Sequence, residues 1–154
     1  MDADNFRISK LREYLFGVID TLTNDPNYSI NANWLSNDIN NYSIDKIPVV
    51  STVEKWITGL EIHRDVYSFR SRLNYSSNEQ NNIENVGFFE KFEQLIKSNN
   101  EQGILPQING IENIRCLNCG TLNNAETDSA EFDIQIEINY KCFGDTEESN
   151  VVSI

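Results

Sequence analysis

Nowhere in these 154 residues do enough uncharged apolar residues run together to span a bilayer. The opening stretch, M-D-A-D-N-F-R-I-S-K, also lacks the apolar segment of a signal peptide. These absences set the expectation of a soluble protein made inside the cell, with no membrane partner. Basic residues are scarce: 12 Lys plus Arg face 24 Asp plus Glu, a formal charge of -12 spread along the chain. Such a surface repels nucleic-acid phosphates, although an acidic wall can let a polyanion pass without holding it. Three cysteines are an odd number, and without a secretion signal free thiols are expected. There is one histidine, no phosphate-binding glycine loop, no dinucleotide fingerprint and no nucleophile elbow. No catalytic residue, cofactor or metal is therefore expected. No internal repeat is visible, and the many asparagines read as a compositional bias.

What remains is enough chain for one domain with a real core, assigned to residues 1–143. The acidic stretch 144–154, short of core residues, is expected to be a mobile tail whose Val151, Val152 and Ile154 could alternatively dock on a neighbouring subunit.

Ile8, Leu11, Leu15, Val18 and Leu22 recur at steps of three and four, which predicts a first helix capped by Asp4 or Asn5 and stopped between Thr23 and Pro26. Gly17 inside it costs about 1 kcal/mol relative to alanine, which suggests close packing against a neighbour. Residues 27–41 read as irregular, with Trp34 and Leu35 as isolated apolar anchors. Tyr42 to Ile47 reads as a short strand limited by Pro48, and Val49 to Ile57 as a second. Thr58-Gly59 is a tight-turn signal leading into a long strand from Leu60 to about Tyr75. Its apolar phase is even at Leu60 and Ile62 but odd at Tyr67, Phe69, Leu73 and Tyr75, so a bulge or bend is expected between. Ile83, Val86, Phe89, Phe92 and Ile96 mark the buried face of a second helix, ending near Asn99 or Asn100, with Gly103 and Pro106 beyond it. Ile111 to Leu122 reads as a strand and 123–129 as a polar turn. Ala130, Phe132, Ile134, Ile136, Ile138 and Tyr140 then alternate with polar residues in the clearest strand of the chain.

Cys116-Leu117-Asn118-Cys119 has the spacing of a zinc knuckle. Only Cys142 and His63 remain as further ligands, and in a continuous strand Cys116 and Cys119 point to opposite faces, so free thiols are the expectation. His63 reads as a surface residue. Acid pairs such as Glu147-Glu148, or Asp128 near Glu131, read as solvated surface. Trp56, Tyr67, Phe69 and Tyr75 give the long hairpin more aromatic surface than one small core needs. Core packing and a contact with another protein are both open for them. Trp56, Thr58, Gly59, His63, Tyr67 and Phe69 are accordingly the candidate inter-subunit or tube-contact residues.

As a set, N-I-E-N-V-G-F-F-E-K-F, G-I-L-P-Q-I, I-E-N-I-R-C-L-N-C-G-T-L and D-S-A-E-F-D-I-Q-I-E-I-N-Y resemble the phage minor capsid protein family that acts as tail terminator. Y-S-I-D-K-I-P, W-I-T-G-L and R-D-V-Y-S-F-R-S-R are similar too, so the resemblance covers most of Leu11 to Tyr140. It implies an α+β fold, with an antiparallel or mixed sheet of about four to five strands and two main helices packed on it. It also implies a structural virion protein assembled in the host cytoplasm as a ring, of six subunits, on the head-proximal end of the tail tube. The implied partners are copies of itself, the tail tube protein and a head-completion or connector protein, with DNA passing through the lumen unbound. A head-completion stopper or a tube subunit is the nearest alternative. A small cytosolic metal-binding or regulatory domain built around Cys116 and Cys119 is the alternative from another class.

Overall fold

The computed structural model describes residues 6–23, 28–36, 38–74, 79–118, 121–125 and 129–143. Helix α1 (Arg7–Leu22) is followed by strands β1 (Ser29–Ala32), β2 (Asn41–Ile47), β3 (Thr52–Lys55) and β4 (Leu60–Asn74). Helix α2 (Glu79–Glu101) precedes β5 (Ile111–Cys116), β6 (Thr121–Ala125) and β7 (Ser129–Phe143). The result is an α+β fold with a mixed sheet.

The two 15-residue strands β4 and β7 form its spine, antiparallel and in unbroken register from Leu60 opposite Phe143 to Asn74 opposite Ser129. On the outer side of β4 lie β2 and, further along, β3; on the outer side of β7 lie β5 and β6. β1 adds to β2 in parallel. The sheet is thus five positions wide, in the order β1-β2-β4-β7-β5, but contains seven strands, more than the four to five expected. Two short strands share each long edge, so counting apolar runs undercounts the segments.

Both helices cover one face. The alternation of β7 puts Ala130, Phe132, Ile134, Ile136, Ile138 and Tyr140 there, all buried. Ile134, Ile136, Ile138 and Tyr140 meet Leu11, Leu15, Val18 and Ile19 of α1 and Phe92 and Ile96 of α2 in the main core, while Ala130 and Phe132 pack with Leu73 and Phe89 in a smaller one. Tyr42, Phe69 and Phe92 stack through it, with ring centroids 5.3 and 5.2 Å apart. At the sheet's far edge, the Asn100 side chain accepts from Ile114 N at 3.0 Å and donates to Ile114 O, so the end of α2 satisfies a backbone edge that would otherwise lie open. Gly110 opens β5 with φ 77°, and a Cβ there would lie 2.6 Å from the Lys141 carbonyl oxygen, so only glycine lets the strand start this close to β7.

Several expectations shift. Asp4 and Asn5, proposed as caps, lie outside the described residues, and the residue at the cap position is Phe6, which makes no side-chain cap. Gly17 is exposed and a Cβ on it would meet nothing, so close packing does not account for it. Gly17→Ala is therefore expected to stabilise the fold by about 0.5–1 kcal/mol, seen as a raised melting temperature; a lowered one would restore a packing role. In α2 the buried stripe runs through Asn85, Phe89, Phe92 and Ile96, whereas Ile83 and Val86 are more than half exposed. Residues 29–32, read as irregular, form β1, and Trp34 is exposed, so it anchors nothing. Residues 117–118 break the strand predicted from Ile111 to Leu122. The tail 144–154, with Glu147 and Glu148, lies outside the described residues, as do Tyr75, Cys119 and Asp128.

The predicted bulge in β4 is absent. Glu61, His63 and Asp65 occupy the same face as Tyr67, Phe69 and Leu73, each opposite an even-numbered residue of β7. Leu60 and Ile62 turn to the other face. The phase break in the sequence is a change of residue type on a continuous strand, and the register shifts fall in β3, β5 and β6.

Candidate functional site

Three groups of polar or exposed residues follow one another along β4. Its far end belongs to the β3–β4 hairpin. The tight turn there is closed by Trp56 N donating to Leu60 O at 2.8 Å and Gly59 N donating to Trp56 O at 3.0 Å, with Gly59 at φ 93°. Every residue of β3 is exposed. Val50, Val53, Trp56 and Ile57 show 77, 57, 51 and 103% of their surface to solvent, so apolar side chains are displayed on a hydrogen-bonded scaffold. Of the candidate interface residues, Trp56, Thr58 and Gly59 sit on this tip. His63 is half-buried at its base. Tyr67 and Phe69 are 1 and 0% exposed beneath the helices, which corrects their reading as contact residues: they are core.

Next along the helix-side face stands the base of the hairpin. His63 Nε2 and Glu61 Oε1 share a 2.6 Å hydrogen bond, Thr52 Oγ1 lies 3.3 Å from the same nitrogen, and Lys55 Nζ is 3.6 Å from Glu61 Oε2. Cys142 faces Glu61 across the strand pair. Thiol, imidazole and carboxylate thus meet here, a combination that nucleophilic catalysis also uses. The electrostatics run the other way: burial first, and then the Glu61 charge, push the Cys142 thiol up, opposite to the activation a nucleophilic thiolate needs. This grouping escaped sequence reading because Glu61 and Cys142 are far apart in the chain and only the register joins them.

Asp65 comes next, buried beside the start of α1. Arg7 Nε donates to its Oδ2 at 2.6 Å, the Tyr67 hydroxyl at 3.1 Å, the Tyr140 hydroxyl reaches Oδ1 at 3.3 Å, and Lys46 Nζ stands 3.6 Å away. Burial alone would raise the Asp65 pKa. The Arg7 hydrogen bond and charge, with Lys46 and the Tyr67 hydroxyl, outweigh it and hold the carboxyl below its ordinary value. Tyr140 is pushed up to about 12, by burial first and then by the Asp65 charge. A network so fully paired fixes α1 on the sheet and offers no acceptor for substrate.

On the opposite face, the polar residues of the long strands pair with each other and with β2 and β5. Arg70 meets Asp45 at 2.6 Å, Arg115 meets Glu137 at 2.7 Å, Arg64 reaches Glu137 at 3.4 Å, and Ser68 bonds Asp133. Burial would raise the Glu137 pKa, but hydrogen bonds from Arg115 and Asn139 lower it. The Glu61 carboxyl is likewise lowered, chiefly by the His63 hydrogen bond. Carboxyls with depressed folded pKa values stabilise fully above their unfolded values and lose that contribution as pH falls through the folded ones. The melting temperature should therefore hold from neutral pH to about 5 and drop steeply below about 4. Asp65→Asn should flatten that drop, and an unchanged acid limb in the variant would show that Asp65 does not carry it.

Cys116 ends β5 opposite Ile136, six residues along β7 from Cys142 and so roughly 20 Å from it. Cys116 consequently shares no metal site with Cys142, and Cys119 lies outside the described residues. Between α2 and β5 lies an open cleft of about 370 Å³ bordered by Glu93, Lys97, Asn100 and Cys116. The sole histidine is on β4, so no imidazole serves a nucleophile in that cleft. No helix among the described residues is long and apolar enough to cross a membrane. No protein-family model matches the chain, and no curated protein matches it either.

Proposed function

We propose that this protein is a structural, non-enzymatic assembly unit, and specifically a tail terminator. In this reading copies of the chain close into a ring that caps the head-proximal end of a phage tail tube, halts its growth and meets the head-completion proteins. The observation that carries it is the β3–β4 hairpin, whose tip presents Val53, Trp56 and a fully exposed Ile57 on an ordered turn. Such a tip costs solubility unless another protein covers it, and aromatic side chains are favoured at the centres of protein interfaces. Head-to-tail contacts of that kind close into a ring when the rotation between copies permits. The resemblance of the sequence blocks supplies the finer identity. Exposed acids on both helices, among them Glu13, Asp20, Glu84, Glu90 and Glu101, suit a lumen through which DNA slides without phosphate contacts.

Negative-stain imaging with sedimentation of the purified protein, alone and with cognate tail tubes, tests the proposal. Rings with a central hole, seated on one tube end and stopping further growth, are expected. Solitary subunits that leave the tube ends bare would overturn it, and a lumen lined by Lys and Arg would overturn the account of the charge.

A further inference from the structure

We infer that Glu61, His63 and Cys142 form a binding site for one zinc-class divalent ion, independent of ring assembly. One imidazole nitrogen, one carboxylate oxygen and the Cys142 Sγ all lie within 4.8 Å of one another, on one face of two paired strands. A strand brings positions i and i+2 to the same face, and the residue directly opposite on the neighbouring strand stands within side-chain reach. Glu61 and His63 supply the first relation and Cys142 the second, so a triangular donor set follows from the register alone.

Tetrahedral zinc, with bonds of about 2.0–2.3 Å, holds its ligand atoms roughly 3.3–3.8 Å apart, so side-chain rotations of about 1 Å are sufficient, parting the 2.6 Å Glu61–His63 pair and closing the wider separations. The backbone beneath is already fixed. The β4–β7 ladder passes through all three positions, and Lys141 N donates to Gly110 O at 2.9 Å on the other side of β7. Lys55, beside the second Glu61 oxygen, is placed to orient the carboxylate.

Thiolate, imidazole and carboxylate together select a borderline-soft ion such as Zn²⁺ over Mg²⁺ or Ca²⁺, which prefer all-oxygen sites. On binding, the Cys142 thiol proton passes to solvent, the Nε2 proton that His63 holds against Glu61 leaves that nitrogen for Nδ1 or solvent, the hydrogen bond gives way to two metal–ligand bonds, and water takes the fourth position. Glu61 and Cys142 flank the ion from both strands at the root of the projecting hairpin. The ion would therefore clamp the hairpin's base to β7.

Co²⁺ and Zn²⁺ are the probes. In a reduced Cys116→Ser/Cys119→Ser background, Co²⁺ should produce a thiolate-to-cobalt charge-transfer band saturating at one equivalent. His63→Ala or Glu61→Gln in that background should weaken binding at least tenfold while leaving the metal-free melting temperature within a few degrees. In the unaltered chain, Zn²⁺ should shift the ring resonances of the single histidine and halt their pH titration at one equivalent, a readout that needs no variant. Absence of the band in the serine background, full binding by His63→Ala, or histidine resonances indifferent to Zn²⁺ would each overturn the site.

Discussion

Ile136→Asp should abolish cooperative folding. Ile136 is wholly buried, paired with Tyr67 on one side and Cys116 on the other, in the core shared with Phe92, Ile96 and Ile114. Removing its side chain from that core loses about 1.5–3 kcal/mol of burial. The carboxylate put in its place has no cation among the apolar residues of that cluster, which costs several kcal/mol more or forces the group to stay protonated. A domain of this size has about 5–15 kcal/mol in total, so the sum consumes most or all of it. The neighbouring change Gln135→Asp is the control, because one step along the strand turns the side chain to the polar face. Its cost should be on the order of 1 kcal/mol, mostly from like charges at Asp133 and Glu137. Circular dichroism during thermal melting distinguishes the two. A normal sigmoidal melt for Ile136→Asp would refute the assigned face of β7.

Whether an element could be read from sequence depended on how faithfully its residue types followed its burial. β7 was legible because six apolar residues alternate with polar ones without a break, and the structure buries all six. The central stripe of α1 was legible for the same reason at helical spacing. β4 was legible as a strand but its first half misled, since polar Glu61, His63 and Asp65 occupy helix-side positions at the margin of the covered face. There, pairing with Arg7, Lys55 and the tyrosine hydroxyls compensates for burial, a compensation that only the tertiary contacts reveal. β1 was missed because it is four residues long with a single buried apolar residue, Ile30, and its partner strand runs parallel through a separate connection. At α2 the helical period was right from Phe89 onward, yet near its start the buried position is taken by polar Asn85, leaving Ile83 and Val86 in solvent. The hairpin tip was legible in part: Trp56, Thr58 and Gly59 sit on it, whereas Ile57, the most exposed large apolar side chain among the described residues, reads in the sequence as an ordinary strand residue. The Glu61–His63–Cys142 grouping had no linear signal beyond the two candidates His63 and Cys142 already weighed around the other cysteines.

Ile57→Asp should abolish self-association while leaving the fold untouched. Ile57 is fully exposed in the monomer, so its replacement removes no internal packing, and the turn hydrogen bonds run through Trp56, Gly59 and Leu60 instead. The melting temperature of the dissociated chain should shift by no more than about 2 °C, since surface changes away from special features stay within about 0.5 kcal/mol. At an interface the same residue, beside Trp56, is placed as a central anchor. Losing such an anchor costs about 2 kcal/mol or more per contact, near 30-fold in affinity, and the introduced carboxylate adds repulsion on a chain already carrying -12. In a ring every subunit donates one tip and receives another, so there is one substituted tip in every contact and closure suffers at all of them. Sedimentation at micromolar protein should therefore show rings for the unmodified chain and monomers for the variant. Rings from both would place the contact elsewhere on the surface, with assembly retained as the function. Monomers from both, at every concentration and with tubes present, would remove assembly itself, because an exposed apolar tip on a chain that never associates has no part in a collar.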